Sequence, residues 1–190
     1  LNNTSVSEQP DVISQAEQIY PGSSKATLKA ADGSVIELNE DHVGIVVGHV
    51  ITYRDGSILL QEPSDTHVEM TLSTPKGGQY QITLPDQTQV WLNADSRLTY
   101  PTKFSGSQRT VNLDGEAYFE VAKDELRPFI VHTSNERVEV LGTHFNVNSY
   151  KGETSSKVSL LEGQVRVQLD SGPSQILHPG QQTVVEGAHI

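Results

Sequence analysis

Apolar and polar residues alternate one by one along most of this chain, and a chain patterned in that way can bury its apolar side only as β-strands. Tyr80, Ile82 and Leu84 interleave with Gln81 and Thr83. Ala117, Phe119 and Val121 interleave with Tyr118 and Glu120, and Val138 and Val140 with Arg137 and Glu139. Val165, Val167 and Leu169 do the same with Gln164, Arg166 and Gln168. Successive strand side chains point to opposite faces, so period two gives one dry face and one wet face. Turn signals punctuate the pattern at Asp32-Gly33, Asp55-Gly56, Lys76-Gly77-Gly78, Asp86-Gln87, Asp114-Gly115, Glu162-Gly163 and Pro179-Gly180. The pattern predicts an all-β fold from Lys25 to Val185: many short strands in a sandwich or a solenoid-like stack of β-hairpins. The in-phase apolar residues Leu84, Leu92, Ala117, Phe119, Val121, Phe145, Val147, Val165 and Val167 are expected to point inward.

A degenerate echo supports repeated hairpins. Leu28-x-Ala30-x-Asp32-Gly33-Ser34-x-Ile36-x-Leu38-Asn39 parallels Ile82-x-Leu84-x-Asp86-Gln87-Thr88-x-Val90-x-Leu92-Asn93. One hairpin cannot bury its own face, so such units stack. Only the N-terminus departs from this period. Val12, Ile13, Ala16 and Ile19 fit at most one short helix near Asp11 to Ile19, closed by the break Pro21-Gly22-Ser23-Ser24.

Charge and composition exclude several classes of function. The formal net charge of −11 disfavours phosphate backbones, so nucleic acid is not an expected partner. With no cysteine, disulfides, thiolate metal sites and a Cys nucleophile are excluded. Residues 1–10 lack the basic start and apolar core of a signal peptide. The apolar stretch from Val43 to Ile51 is too short to span a bilayer, so any anchor is expected outside this chain.

No catalytic constellation emerges, and the chain is not expected to be an enzyme. Glu116 and Glu120 on one strand would sit about 13 Å apart on the same face, four residues at roughly 3.3 Å each. Glycosidase carboxylates need about 5 to 9.5 Å, so a solvated strand face is the better reading. The histidines at 42, 49, 67, 132, 144, 178 and 189 form no metal-ligand spacing, and neither a metal nor a cofactor is expected. Trp91, Tyr118, Phe119, Phe129 and Phe145 could line a groove, but core is the more ordinary role for such residues. Asn3-Thr4-Ser5 fits a glycosylation acceptor, a short motif that carries little weight alone.

Beyond the periodicity, a series of blocks resembles the FecR family. They are Thr74-Pro75-Lys76-Gly77-Gly78-Gln79-Tyr80 through Val90-Trp91-Leu92-Asn93, then Tyr100-Pro101-Thr102-Lys103-Phe104 and Leu113-Asp114-Gly115-Glu116-Ala117-Tyr118-Phe119-Glu120-Val121. Arg127-Pro128-Phe129-Ile130-Val131, Val140-Leu141-Gly142-Thr143-x-Phe145-Asn146-Val147, Leu161-Glu162-Gly163-x-Val165 and Leu177-x-Pro179-Gly180-Gln181-Gln182 follow in family order. The strongest match runs over residues 71–185, within a β domain expected over 21–190, after a linker at 1–20 behind a presumed membrane anchor. The family turn is usually Pro-Asp-Gly-Thr, whereas here it is Pro85-Asp86-Gln87-Thr88. Either the turn type differs or Gln87 carries left-handed strain.

The resemblance implies a periplasmic signal-relay domain of an anti-sigma regulator. Such regulators are single-pass inner-membrane proteins with a cytosolic segment that binds a sigma factor. Their periplasmic region senses the signalling domain of a TonB-dependent outer-membrane transporter. A carbohydrate-binding β domain and a structural spacer are the alternatives. The resemblance also singles out the Gly142-Thr143 bond, at which some relatives are thought to cleave themselves by N→O acyl shift. The simpler reading is that Gly142 permits a tight bend and the bond stays intact. His144, the nearest base in sequence, would face away from Thr143 on a strand.

Overall fold

A computed structural model describes residues 23–61, 68–187 and 189. The linker and helix expected at the N-terminus, the Asn3 acceptor and His67 lie outside the described residues. Eighteen strands and no helix are present among those described: β1 (Ser23–Ser24), β2 (Thr27–Lys29), β3 (Val35–Glu37), β4 (Gly44–Val47), β5 (Ile51–Tyr53), β6 (Ile58–Leu60), β7 (Glu69–Ser73), β8 (Gly78–Thr83) and β9 (Gln89–Leu92). They continue as β10 (Arg97–Pro101), β11 (Arg109–Glu120), β12 (Phe129–His132), β13 (Glu136–Val140), β14 (His144–Ser149), β15 (Ser155–Glu162), β16 (Val165–Leu169), β17 (Ser174–Leu177) and β18 (Gln182–Glu186).

The strands form two layers. The first runs β3-β2-β7-β10-β11-β12-β13-β16-β17. The second runs β6-β5-β4-β8-β9-β11-β14-β15-β18, with β1 on the free part of β8. Each layer is ordered broadly from N- to C-terminus, and the chain passes between layers every one to three strands. The fold is therefore all-β and unites the two expected forms: a two-layer sandwich that grows along one axis like a solenoid. One apolar core lies between the layers, and all nine residues expected to point inward are buried in it.

The strand β11 belongs to both layers, and it corrects one sequence expectation. Asp114-Gly115 is not a turn; it is the point inside β11 where the strand leaves one layer for the other. Arg97 pairs with Asp114 in the first layer, and Gly115 pairs with Ser149 in the second. Gly115 has φ of 112°, and a Cβ there would lie 2.7 Å from the Ser96 Cα, so only glycine fits. The Ser96 hydroxyl accepts the Glu116 N–H at 2.8 Å and closes the crossing.

The echoed hairpins share one turn, and a third copy exists. Gln87 N–H donates to Leu84 O at 2.9 Å, and Leu84 N–H donates to Thr88 O at 2.8 Å. The same pair of bonds links Ala30 with Gly33 and Ser34, and Tyr53 with Gly56 and Ser57. In each turn the Asp Oδ1 accepts the N–H two residues on: Ser34 at 2.8 Å, Ser57 at 2.9 Å and Thr88 at 3.1 Å. The third turn position is left-handed throughout, with φ of 87° at Gly33, 89° at Gly56 and 73° at Gln87. The turn type is thus kept where glycine is replaced, and Gln87 carries the strain, of order 1 kcal/mol.

Asp86 differs from its two counterparts in being tied to the core. Its Oδ2 lies 2.7 Å from a nitrogen of Arg109, whose side chain is almost wholly buried. Arg109 also donates to Arg127 O at 2.9 Å and Ala122 O at 2.7 Å, and lies over the Phe129 ring. The ion pair fastens a turn of the second layer to the start of β11 in the first.

Candidate interaction site

A polar and aromatic groove lies on the outer face of the second layer. Strand register aligns Gln81, Trp91, Tyr118, Asn146, Ser159 and Gln182 in one row across β8, β9, β11, β14, β15 and β18. Trp91 and Tyr118 are cross-strand neighbours with ring centroids 5.5 Å apart. Both are half-exposed, which corrects the expectation that all five aromatics are core. Only Phe119, Phe129 and Phe145 are buried, with Phe119 stacked on Phe145 at 5.1 Å. The phase is set by β11 itself: Phe119 is inward, so its neighbour Tyr118 must be outward.

Beside the aromatic pair lies a fixed carboxylate. Asn93 Nδ2 donates to Glu116 Oε2 at 2.9 Å, and Asn146 Nδ2 donates to Glu116 Oε1 at 2.9 Å. Glu120 instead accepts from the Tyr118 hydroxyl at 3.4 Å. Burial, then the Glu120 charge, push the Tyr118 hydroxyl above its ordinary pKa. The groove over this face has a volume of about 380 Å³ and is lined by Gln79, Trp91, Asn93, Glu116, Tyr118 and Asn146, among others. Periodicity had marked the outer positions as wet; the Asn93–Glu116–Asn146 arrangement joins the residue after β9 to interior positions of β11 and β14 and needs the register.

Gly142 and Thr143 occupy a tight bend between β13 and β14. Gly142 has φ of 157°, and a Cβ there would lie 2.8 Å from the Lys123 Cα. Gly163 covers the bond from the other side, since its own Cβ would meet Thr143 Oγ1 at 2.8 Å and Gly142 O at 3.1 Å. Thr143 is buried, its hydroxyl donates to Gln164 O at 3.2 Å, and its carbonyl accepts Val121 N–H at 3.0 Å. His144 lies on the other face, 3.0 Å from Glu162 Oε2.

Among the described residues no group of three or more His, Asp or Glu side chains could hold a metal ion. His42 stacks on Tyr53 at 4.0 Å and pairs with Asp55 at 3.3 Å, a local structural role. Two charged residues that sequence reasoning did not single out are fully buried: Arg109 and Glu136. Glu136 accepts from the Ser156 hydroxyl at 2.9 Å, while its Oε1 has no protein partner. Desolvation raises its pKa above the ordinary carboxylate value.

The family model for the FecR protein matches residues 70–166, which span β7 to the start of β16 and hold both the aromatic pair and the Gly142 bend. The chain belongs to the FecR family. Two crystal structures from Parabacteroides distasonis ATCC 8503, each described as that of an anti-sigma factor, are similar to it. One is 39% identical over 63% of this chain with a TM-score of 0.61, and the other 40% identical over 61% with a TM-score of 0.60. This chain covers 55% and 54% of those chains, little more than half their length. No curated protein matches the chain.

Proposed function

We propose that this chain is the signal-relay domain of a FecR-type anti-sigma regulator and works by protein–protein contact, not by catalysis. The observation that carries the reading is the family match over residues 70–166, joined by the likeness to the Parabacteroides distasonis structures described as those of an anti-sigma factor. The domain would lie in the periplasm as part of a single-pass inner-membrane protein. It would couple a TonB-dependent outer-membrane transporter to a cytosolic sigma factor, the sigma factor being held by a cytosolic segment such as the family carries.

The fold offers a contact mode for such a partner. Among the described residues both layers end in strands with one largely open side, β17 and β18 at one end of the stack, with Ile176 and Val184 exposed on them and only Glu186 of β18 bridged on that side, to His189. An open sheet edge presents backbone donors and acceptors, so a strand of the partner can add to it. The test is a binding titration of this chain against the signalling domain of the transporter encoded beside its gene. Saturable binding, weakened by a proline at Val184, is expected. Absence of binding to that domain, with the chain folded, overturns the coupling.

A further inference from the structure

We infer that the outer face of the second layer is a binding site for a neutral oligosaccharide lying across the strands over Trp91 and Tyr118. The strands beneath the groove are internal, so their backbone groups are already paired in the ladder. A ligand there must be recognised through side chains. Those on offer are two aromatic faces, the planar amides of Gln79, Asn93 and Asn146, and one carboxylate. This set matches the chemistry of a sugar. The C–H face of a pyranose ring packs on an aromatic face, and its hydroxyls donate to carboxylates and accept from amide N–H groups.

The carboxylate is set in advance. Glu116 is gripped by Asn93 and Asn146, each at 2.9 Å, so its remaining lone pairs have a fixed direction. Each amide keeps a second N–H for a ligand, and Asn146 its carbonyl oxygen as well, whereas Asn93 Oδ1 already accepts the Ala94 N–H at 2.8 Å. Hydrogen bonds to an ionised acceptor are the strong kind, and a rigid acceptor loses little on binding. Charge selects within the class. With Glu116 and Glu120 on this face and a formal net charge of −11, uronic acids, sulfated sugars and phosphates are repelled. The row continues past the aromatic pair through Asn146, Ser159 and Gln182, four uncharged hydrogen-bonding positions if Gln81 is counted at the far end. Gln81 is locked by Arg54 and by Gln89 at 3.1 Å, so it closes the groove instead of extending it. A chain of several sugar units leaving toward β18 fits this layout better than a monosaccharide.

The inference can be tested without a label, because Trp91 is the sole tryptophan of the chain. Its fluorescence would be followed while cellohexaose, xylohexaose, mannohexaose, maltohexaose and an oligogalacturonate are titrated into the 190-residue chain. A saturable change with at least one neutral hexasaccharide, and none with the oligogalacturonate, is expected. Calorimetry with Tyr118→Ala and Glu116→Gln should then show roughly tenfold weaker binding. Both side chains face outward, so the unfolding midpoints should stay near that of the parent. No response to any neutral hexasaccharide overturns the site. So does binding that both variants retain, or a Trp91 response to the transporter's signalling domain with none to sugars, which would make this face a protein contact.

Discussion

At the scale of single residues, the molecule rests on charged groups placed where the alternation alone would put apolar ones. Arg109 shares phase with Val111 and Leu113, and Glu136 shares phase with Val138 and Val140. Their burial was therefore written in the sequence, yet residue type argued for the surface, and the type is what a reader weighs first. Only the fold reveals that Asp86 comes within 2.7 Å of Arg109 from a turn of the other layer. Removing one member of a buried pair leaves the other charge uncompensated. Asp86→Ala should thus cost about 3 to 5 kcal/mol, read as a lower denaturant midpoint. A loss under roughly 0.5 kcal/mol, the size of an ordinary surface change, would show that Arg109 is solvated. Glu136 acts in the opposite sense. Its folded pKa is raised by desolvation, so only between the unfolded and the folded value does the native state hold a proton that the unfolded chain has released. Stability from this group is fully retained below the unfolded value and lost as pH rises through the folded one. Glu136→Gln should stabilise the protein at neutral pH by about 1 kcal/mol, a gain that shrinks toward pH 4. A gain unchanged by pH would assign the effect to packing.

At the scale of elements, the strands were legible and their crossings were not. Period two marked the inward set from Leu84 to Val167, because burial of one face dictates it. The same reasoning took Asp114-Gly115 for a turn, since Asp-Gly pairs with a hairpin everywhere else. There, glycine is required by the close approach of Ser96, a contact between residues far apart in sequence. The Gly142-Thr143 bend follows similar logic, with Gly142 against Lys123 and Gly163 over the bond. An acyl shift needs the Thr143 hydroxyl aimed at the Gly142 carbonyl carbon and a base to take its proton. That hydroxyl instead donates to Gln164 O, and His144 turns to Glu162. The purified chain should therefore show one mass, that of the intact polypeptide. Two fragments breaking after Gly142, abolished by Thr143→Ala, would demand a rearranged bend and a base from another element.

At the scale of the whole molecule, the two-layer stack behaves as a nearly one-dimensional array. Each strand pairs only with its immediate neighbours along the axis, apart from β11, which is bonded in both layers to β10, β12, β9 and β14. In such an array stability is a sum of neighbour terms, so terminal units open before central ones. Edge strands β3, β6 and β17 are short, hold one buried residue between them (Leu177), and are bonded on one side among the described residues. The centre instead carries the Phe119–Phe145 stack, the Arg109–Asp86 pair and the glycine-locked crossing. Native-state hydrogen exchange should accordingly be graded. Amides of β11, β9 and β14 should exchange only on global unfolding, and those of β3, β6 and β17 through local openings that cost a few kcal/mol less. The gradient has a functional consequence, because an edge that opens readily can admit a partner strand while the centre holds its shape. Addition of the transporter's signalling domain should then slow exchange at one end of the stack, leaving β11 unchanged. Uniform protection across all strands would show a single cooperative sandwich, and protection gained at the Trp91 face instead of an edge would move the partner contact there.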